Sequence, residues 1–165
     1  TEPLDLIHFR NVGPCFDDFP ALLRKCYDHM SPGGWIELFD NVFEVHCDDN
    51  TMSGTSLPEF FQLLVRGAVN LGRDLLKPRH FKSYVEEAGF IDIQEVMIPV
   101  PGSPWPENPK WKLVGYYAGR AMHVAAESYR KFLTAAGLTP DAIDDSISRL
   151  REDLNRVDVH WYIPL

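Results

Sequence analysis

The sequence has few of the features that define several large classes of protein. Its 165 residues include only three cysteines, Cys15, Cys26 and Cys47, with no CxxC pair and no Cys/His ligand spacing. Neither a disulfide framework nor a zinc site is therefore indicated, and no other pattern supports a metal site. No apolar run is as long as a transmembrane helix, and no signal peptide is visible. These absences favour an intracellular protein, for which we predict a cytoplasmic location with the nucleus as the alternative.

Positive charge is also scarce, since 16 Lys and Arg stand against 24 Asp and Glu. The net charge of −8 argues against nucleic acid and membranes as partners, because both anionic surfaces require clustered Lys and Arg. The hydrophobic fraction of 45% is that of an ordinary globular protein. The length suits a single domain, residues 1–165, with one core.

A glycine-rich phosphate or nucleotide loop is missing as well. No such loop and no earlier strand precede the first apolar run, Leu4 to Phe9, which suits a buried parallel strand. We therefore expect the sequence to be the second half of a cofactor-binding domain.

What the sequence does contain first is a strand–helix–strand pattern. An apolar stripe at helical spacing begins after a capping residue, Asp17 or Asp18, and stops at Ser31-Pro-Gly-Gly34. A long strand, Trp35 to Val45, is predicted next. This order predicts one crossover unit of a parallel sheet, in which ligands bind at the carboxyl ends of the strands.

The remaining sequence predicts four helices and two strands. These are a helix from the Ser56–Glu59 capping box to about Gly72, a helix at 78–88, a strand at 90–100, a helix at 109–135, a helix at 140–155 and a strand at 157–165. The apolar alternation changes phase within 90–100, which indicates a bulge or two separate pairings. Five prolines make 99–109 a stiff loop rather than a strand. Residues 99–155 form a predicted helical cap or lid.

Six segments occur in an order and spacing typical of one family. They are Asp5-Leu-Ile-His8-x-Arg10, Ser31-Pro-Gly-Gly-Trp-Ile-Glu37, Cys47-Asp-Asp-Asn-Thr-Met52, Glu87-Ala-Gly-Phe90, Pro104-Trp-Pro106 and Asp158-Val-His160. Over nearly its whole length the sequence resembles the second half of fungal class I S-adenosylmethionine-dependent methyltransferases of the LaeA-like, secondary-metabolism type. The resemblance implies an α/β fold, namely the second half of a Rossmann-like seven-stranded sheet with a helical cap. It also makes the N-terminal half, with the family's glycine-rich loop, an expected partner of this segment.

The resemblance places the methionine portion of S-adenosylmethionine at the end of the first strand, beside His8, Phe9, Arg10 and Asn11. Backbone carbonyls there can accept hydrogen bonds from its ammonium group, and Arg10 can pair with its carboxylate. The alternatives are a hydrogen-bonded core histidine for His8 and a surface ion pair for Arg10.

Candidate catalytic residues are Asp40 and His8. Asp40 lies towards the carboxyl end of the second strand, three residues after Glu37, and we predict that it reaches the acceptor. A base is needed only when the acceptor carries a proton at the working pH. The alternative for Asp40 is a solvated residue at the edge of a loop.

An aromatic set is predicted to form a lid over an apolar acceptor: Trp105, Trp111, Tyr116, Tyr117 and, more distantly, Trp161. Of these, Trp105, Tyr116 and Tyr117 are the predicted substrate-binding residues. Flanking prolines restrict the loop that carries Trp105. The alternative is ordinary packing of aromatic side chains along a helix.

Two functions follow from the resemblance. The first is methyl transfer from S-adenosylmethionine to an apolar small molecule in secondary metabolism. The second is a truncated, non-methylating relative that acts as a regulatory or partner-binding subunit, or as a cofactor-free isomerase or cyclase. A protein partner or a homodimer is a further expectation.

Overall fold

The computed structural model describes residues 2–165 and has a mixed α/β architecture. The strands are β1 (Leu4–Arg10), β2 (Met30–Phe39), β3 (His46–Cys47), β4 (Pro99–Pro101) and β5 (Trp161–Pro164). The α-helices are α1 (Phe19–Asp28), α2 (Leu57–Asn70), α3 (Phe81–Glu87), α4 (Pro109–Ala125), α5 (Arg130–Ala135) and α6 (Pro140–Leu154). Short 3-10 turns lie at Gly13–Cys15, Lys77–His80 and Ala126–Tyr129. The α/β class predicted from the sequence is thus confirmed.

The predicted crossover unit is also confirmed. Strands β1 and β2 pair in parallel, and α1 connects them. Asp18 caps α1, because its Oδ1 accepts a hydrogen bond of 2.8 Å from the backbone N–H of Ala21.

The predicted bounds of β2 are wrong at both ends. The strand begins at Met30 and ends at Phe39, whereas Trp35 and Val45 were expected. Ser31-Pro-Gly-Gly34 therefore lies inside the strand, where the register shifts between Leu4 and Leu6 of β1. Gly33 has a φ of +82°, which a residue without a Cβ adopts at no steric cost, so the extra residues form an irregular bulge.

The two faces of this parallel pair differ. On one face, α1 and α3 cover the strands, and the rings of Phe19 and Phe81 stack with centroids 4.9 Å apart. On the other face, Leu6 is 60% exposed and Trp35 is 63% exposed. The expectation that Leu4 to Phe9 is a buried strand is therefore wrong for this face, and Trp35 is a surface residue.

The second sheet is antiparallel, with the order β3-β5-β4. The predicted strand at 90–100 is wrong for most of its length, since only Pro99–Pro101 is a strand and it lies at the start of the predicted loop. Proline is tolerated there because β4 is an edge strand and needs no second partner for its backbone. The backbone N–H of Gly102 extends the pairing with a 3.1 Å bond to the Trp161 carbonyl.

The main hydrophobic core lies among α2, α4, α5, α6 and β5. Its fully buried members include Leu57, Phe60, Leu64, Leu133, Ile147, Leu150, Val159 and Trp161. The predicted single helix at 109–135 is wrong, because a 3-10 turn at Ala126–Tyr129 divides it into α4 and α5. Thr139 caps α6, because its Oγ1 accepts a 3.4 Å hydrogen bond from the backbone N–H of Ala142.

The predicted capping box at Ser56 does not form. Both the backbone N–H and the hydroxyl of Ser56 donate to Oδ2 of Asp153, each at 2.6 Å. Glu59 instead pairs with Arg149 at 3.4 Å. These side chains tie the start of α2 to α6.

Helix α4 packs unusually close to the chain segment after β4. A Cβ atom placed on Gly115 would lie 2.1 Å from the carbonyl oxygen of Ser103, and one on Gly119 would lie 2.7 Å from that of Gly102. The two glycines are four residues apart, so they lie on the same face of the helix. The absence of side chains at both positions therefore sets the distance between α4 and β4.

Within residues 2–165, every helix is too short or too polar to cross a lipid bilayer.

Candidate functional site

The carboxyl ends of β1 and β2 are joined by two asparagines. The backbone N–H of Asn11 donates to the Phe39 carbonyl at 2.9 Å. The Asn11 side chain accepts a 3.0 Å bond at Oδ1 from Nδ2 of Asn41. Asn11 has a φ of +52°, a left-handed conformation that asparagine adopts more readily than most residues. This link, which we call the Asn11–Asn41 bridge, fixes the two strand ends relative to each other.

Asp40 holds the loop that follows β1. Its Oδ2 accepts hydrogen bonds from the backbone N–H groups of Val12 at 2.9 Å and Gly13 at 2.7 Å. Its Oδ1 accepts from the Asn41 N–H at 3.1 Å, and the residue is only 9% exposed. The carboxylate is thus committed to the backbone, unlike the solvated loop residue considered as an alternative. Its predicted catalytic role and contact with an acceptor stay predictions.

His8 and Glu37 form a pair on the uncovered face of the parallel strands. His8 Nδ1 lies 2.7 Å from Glu37 Oε2, and their side chains are 42% and 62% exposed. The core position considered for His8 is therefore wrong, and Glu37 is a surface residue of the same face. A catalytic or cofactor-binding role of His8 stays a prediction.

Phe9 and Arg10 point to opposite faces of β1. The ring of Phe9 packs edge-on against Phe16 and Phe19, so only its backbone is placed to meet a ligand. The guanidinium carbon of Arg10 lies 5.2 Å from the centre of the Phe39 ring. No carboxylate of residues 2–165 forms an ion pair with Arg10, and the surface ion pair considered for it is absent. Its guanidinium is available for an anionic group.

An apolar cavity of about 200 Å³ lies beside the Asn11–Asn41 bridge. Its lining residues are Asn41, Phe43, Val100, Pro101, Gly102, Ala118, Ala121, Met122, Ala125, Tyr129, Trp161 and Ile163. None of these side chains is charged at neutral pH. Burial raises the pKa of the Tyr129 phenol, so this hydroxyl also stays neutral. The cavity therefore favours an uncharged, largely apolar guest, and an engineered cavity of roughly 150 Å³ already holds benzene.

The predicted aromatic lid is not assembled around this cavity. Trp105 donates from Nε1 to the Trp161 carbonyl at 3.1 Å, and its ring centre lies 5.1 Å from that of His160. It therefore lies against β5 rather than against the helix that carries Tyr116. Tyr116 and Tyr117 are 50% and 63% exposed, and neither lines the cavity. The acceptor-binding role predicted for these three residues stays a prediction without a shared site.

The cavity walls include residues that the sequence did not single out. Phe43, Met122 and Ile163 come from three separate elements or connections, and nothing local marks them as neighbours. Trp161, by contrast, was a distant member of the predicted aromatic set, and it lines the cavity as a buried residue of β5.

Two of the family-like segments meet on the outer side of β5. His160 Nδ1 lies 2.5 Å from Asp49 Oδ2, and the backbone N–H of His160 donates to Thr51 Oγ1 at 2.9 Å. Asp49 also accepts from the Thr51 hydroxyl at 2.7 Å and from the Cys47 thiol at 3.2 Å. This arrangement ties the 47–51 loop to β5. Within residues 2–165, no group of three or more His, Cys, Asp or Glu side chains could hold a metal ion.

The Asp49 contacts predict a pH dependence on the acid side. Hydrogen bonds from Thr51, and then from Cys47 and His160, hold the pKa of Asp49 far below its usual range. The resulting stabilisation is present above the unfolded-state pKa of 3.8 and is lost as the pH falls below it. Asp49→Asn should therefore make the loss of stability below about pH 4 shallower in chemical denaturation. Asp28→Asn, at the exposed end of α1, is the control, and an equal change in both variants would contradict the prediction.

Comparison with known proteins gives relatives of two kinds. The chain is 29% identical to "Methyltransferase pytC" of Aspergillus terreus, over 96% of this chain and 50% of that protein. It is 28% identical to "Secondary metabolism regulator laeA" of Monascus pilosus, over 96% of this chain and 44% of that protein. It is 34% identical to "Secondary metabolism regulator LAE1" of Cochliobolus heterostrophus, over 82% of this chain and 43% of that protein. The resemblance to LaeA-like fungal methyltransferases is confirmed.

The LaeA-like similarity extends over most of the present sequence, but the chain spans about half the length of the curated relatives it matches. No family model matches the chain, and no solved structure does.

Proposed function

We propose that the protein transfers a methyl group from S-adenosylmethionine to a neutral, apolar small molecule in fungal secondary metabolism. We further propose that β1 and β2 belong to a Rossmann-like seven-stranded sheet completed by an N-terminal half. The observation that carries the proposal is the position of the apolar cavity directly beside the carboxyl ends of two parallel strands. Ligands of open parallel sheets bind at these ends, so a donor and an acceptor would lie next to each other.

The residues at the strand ends fit the amino-acid portion of the cofactor. Arg10 offers a guanidinium without a carboxylate partner among residues 2–165, and this group suits the carboxylate of a methionine moiety. The backbone carbonyls around Phe9 can accept from its ammonium group. When bound, S-adenosylmethionine supplies an electrophilic methyl group on a sulfonium. The contribution of the chain is to position the two reactants and to exclude water, which can account for a large share of such a rate enhancement.

A regulatory role is the second candidate, because two of the relatives above are called secondary metabolism regulators. The uncovered face of the parallel strands, with Leu6 and Trp35 exposed, suits contact with another polypeptide. Methyl transfer and partner binding are compatible within one protein, and a catalytically inactive regulator would bind a partner without consuming S-adenosylmethionine.

Arg10→Ala tests the placement of the cofactor. In the full chain, meaning the protein that includes the proposed N-terminal half, the substitution should weaken binding of S-adenosylmethionine by about 1.5–3 kcal/mol. This is the range for hydrogen bonds to charged groups. Isothermal titration calorimetry measures this change. Arg24→Ala, which removes an exposed arginine of α1 without a partner in the described residues, should leave the affinity unchanged.

The outcomes separate the two candidates. Unchanged affinity in Arg10→Ala would remove Arg10 from the site. Failure of the full chain to bind S-adenosylmethionine, or to form S-adenosylhomocysteine with any neutral acceptor, would contradict methyl transfer and favour the regulatory role.

A further inference from the structure

We propose that Asn41 selects acceptors that carry an O–H or N–H group, and that its Oδ1 atom binds the hydrogen of that group. This inference rests on the proposed methyl transfer and specifies its substrate class. The acceptor would be a neutral compound of one or two rings, such as a phenol or an indole.

The hydrogen-bond state of Asn41 determines which kind of group it can bind. Its Nδ2 donates to Asn11 Oδ1 at 3.0 Å, so the amide is held in place by the Asn11–Asn41 bridge. No donor within residues 2–165 bonds to Asn41 Oδ1. A carboxamide oxygen is an acceptor with two lone pairs. The position left open at Asn41 is therefore suited to a ligand that donates a hydrogen bond.

The place of Asn41 in the cavity decides where that donor would lie. Asn41 is the residue that connects the cavity wall to the end of β1, because its partner Asn11 directly follows Arg10. A ligand hydroxyl or N–H bound at Oδ1 would thus lie at the side of the cavity next to the proposed donor site. The atom that carries this hydrogen is also the natural site of methylation: the new C–O or C–N bond would form as the C–S bond of the sulfonium breaks, S-adenosylhomocysteine would leave, and the proton would pass to solvent, since an amide oxygen is not a base.

The other walls limit the rest of the ligand. Most of the lining side chains are hydrocarbon, including Phe43, Val100, Ile163 and the alanines of α4. A charged group would be buried there without a counter-ion, at a high cost in solvation. The volume of about 200 Å³ suits a small ring system.

Methylation itself would weaken this recognition. A methylated phenol oxygen or indole nitrogen has no hydrogen left and cannot donate to Asn41. The same amide that orders the substrate would therefore bind the product less well and assist its release.

Two other side chains of the cavity carry a polar atom: Trp161 Nε1, which is buried without a partner among residues 2–165 and can only donate, and the Tyr129 hydroxyl, which can also accept and therefore competes with Asn41. The Tyr129 hydroxyl can also bind a phenol, but the residue lies in the turn after α4 and packs against Phe60, with centroids 6.2 Å apart. It has no hydrogen bond to the strand ends among the described residues. Tyr129→Phe therefore serves as the control for Asn41→Leu, since each removes the polar atoms of one cavity side chain without adding a heavy atom.

The experiment compares ligand pairs that differ only in the hydrogen. Dissociation constants of phenol, anisole, indole and N-methylindole are measured by NMR titration on the full chain, with circular dichroism to verify folding. In Asn41→Leu, the preference for phenol over anisole and for indole over N-methylindole should fall by about three- to ten-fold, as for one neutral hydrogen bond. In Tyr129→Phe the preference should stay that of the wild-type protein. Asn41→Ala, which also removes the acceptor oxygen, should show the same loss of preference and serves as a second variant if Asn41→Leu does not fold.

Three results would overturn the inference. These are an unchanged preference in Asn41→Leu, an equal loss in Tyr129→Phe, and no binding of any of the four compounds by the wild-type protein. The proposed methyl transfer is scored separately by formation of S-adenosylhomocysteine. If S-adenosylhomocysteine forms but the predicted preference is absent, the role of Asn41 is wrong and the proposed methyl transfer stands. If the preference is present but no S-adenosylhomocysteine forms, the proposed methyl transfer is wrong.

Discussion

Gly115→Ala is expected to destabilise the protein by at least about 3 kcal/mol, although the same change stabilises an ordinary helix by roughly 1 kcal/mol. The new methyl group would lie 2.1 Å from the Ser103 carbonyl oxygen and 2.7 Å from its carbon. Both are backbone atoms, and Ser103 is fully buried, so the segment cannot rotate away as a flexible side chain would. Helix α4 must move away from β4, which disturbs the packing on both sides. Urea unfolding of the full chain measures the change.

Gly72→Ala provides the contrast for this prediction. Gly72 has no neighbour within 4 Å of the position of a Cβ, but its φ of +71° disfavours any other residue. Its cost should therefore be that of backbone strain alone, about 1 kcal/mol. A Gly115→Ala protein as stable as the wild type would show that α4 does not lie against Ser103 in solution.

Asp40→Ala should cost about 3–4 kcal/mol of stability. The substitution removes the acceptor of two loop N–H groups, at Val12 and Gly13, and leaves them partly or fully buried. An unsatisfied buried donor costs roughly 1–3 kcal/mol, and bonds to a charged acceptor lie at the upper end of the range. The loop between β1 and α1 should become mobile first, because the Asp40 carboxylate accepts the hydrogen bonds of its backbone N–H groups. Urea unfolding gives the total change, and hydrogen exchange at Val12 and Gly13 shows whether the loss is local.

Asp40→Asn separates positioning from acid–base chemistry at this residue. The amide keeps one acceptor oxygen and should recover roughly half of the lost stability. If Asp40 only positions the loop, Asp40→Asn should raise the KM for S-adenosylmethionine and leave the pH profile of kcat unchanged. A lost ionisation in that profile would instead restore the catalytic role predicted from the sequence.

The crossover unit could be predicted because its signals are local. A short apolar run, a capping aspartate and a 3.6-residue stripe each act within a few residues, and they agree. Ser56 shows the limit of this reasoning. Its sequence context predicts a capping box, but Asp153, 97 residues away, accepts both of its hydrogen bonds. The Asp153 carboxylate accepts the hydrogen bonds of the Ser56 N–H and hydroxyl. A contact between residues so far apart in the sequence cannot be predicted from a local pattern.

The candidate site was predicted in part for the same reason. The strand ends that carry Arg10 and Asn11 follow from the parallel pairing. The cavity depends on the close approach of α4 to β4, which Gly115 and Gly119 permit. In the sequence alone, a glycine inside a helix indicates only a lower helix propensity. The proline content of 99–109 likewise concealed an edge strand, because the missing N–H groups matter less where a strand has one partner.

Strand β5 also determines the order in which the protein can assemble. It pairs with both β3 and β4, and its neighbour His160 contacts Asp49 across 111 residues of chain. Closing so long a loop costs entropy before any contact repays it, so such pairings form late in folding. Helices with local contacts can form earlier, but Trp161 and Ile163 complete the cavity wall only when β5 arrives between its partners. We therefore expect the cavity to form late in folding, and a chain that stalls before this step would have its helices but not the proposed acceptor pocket.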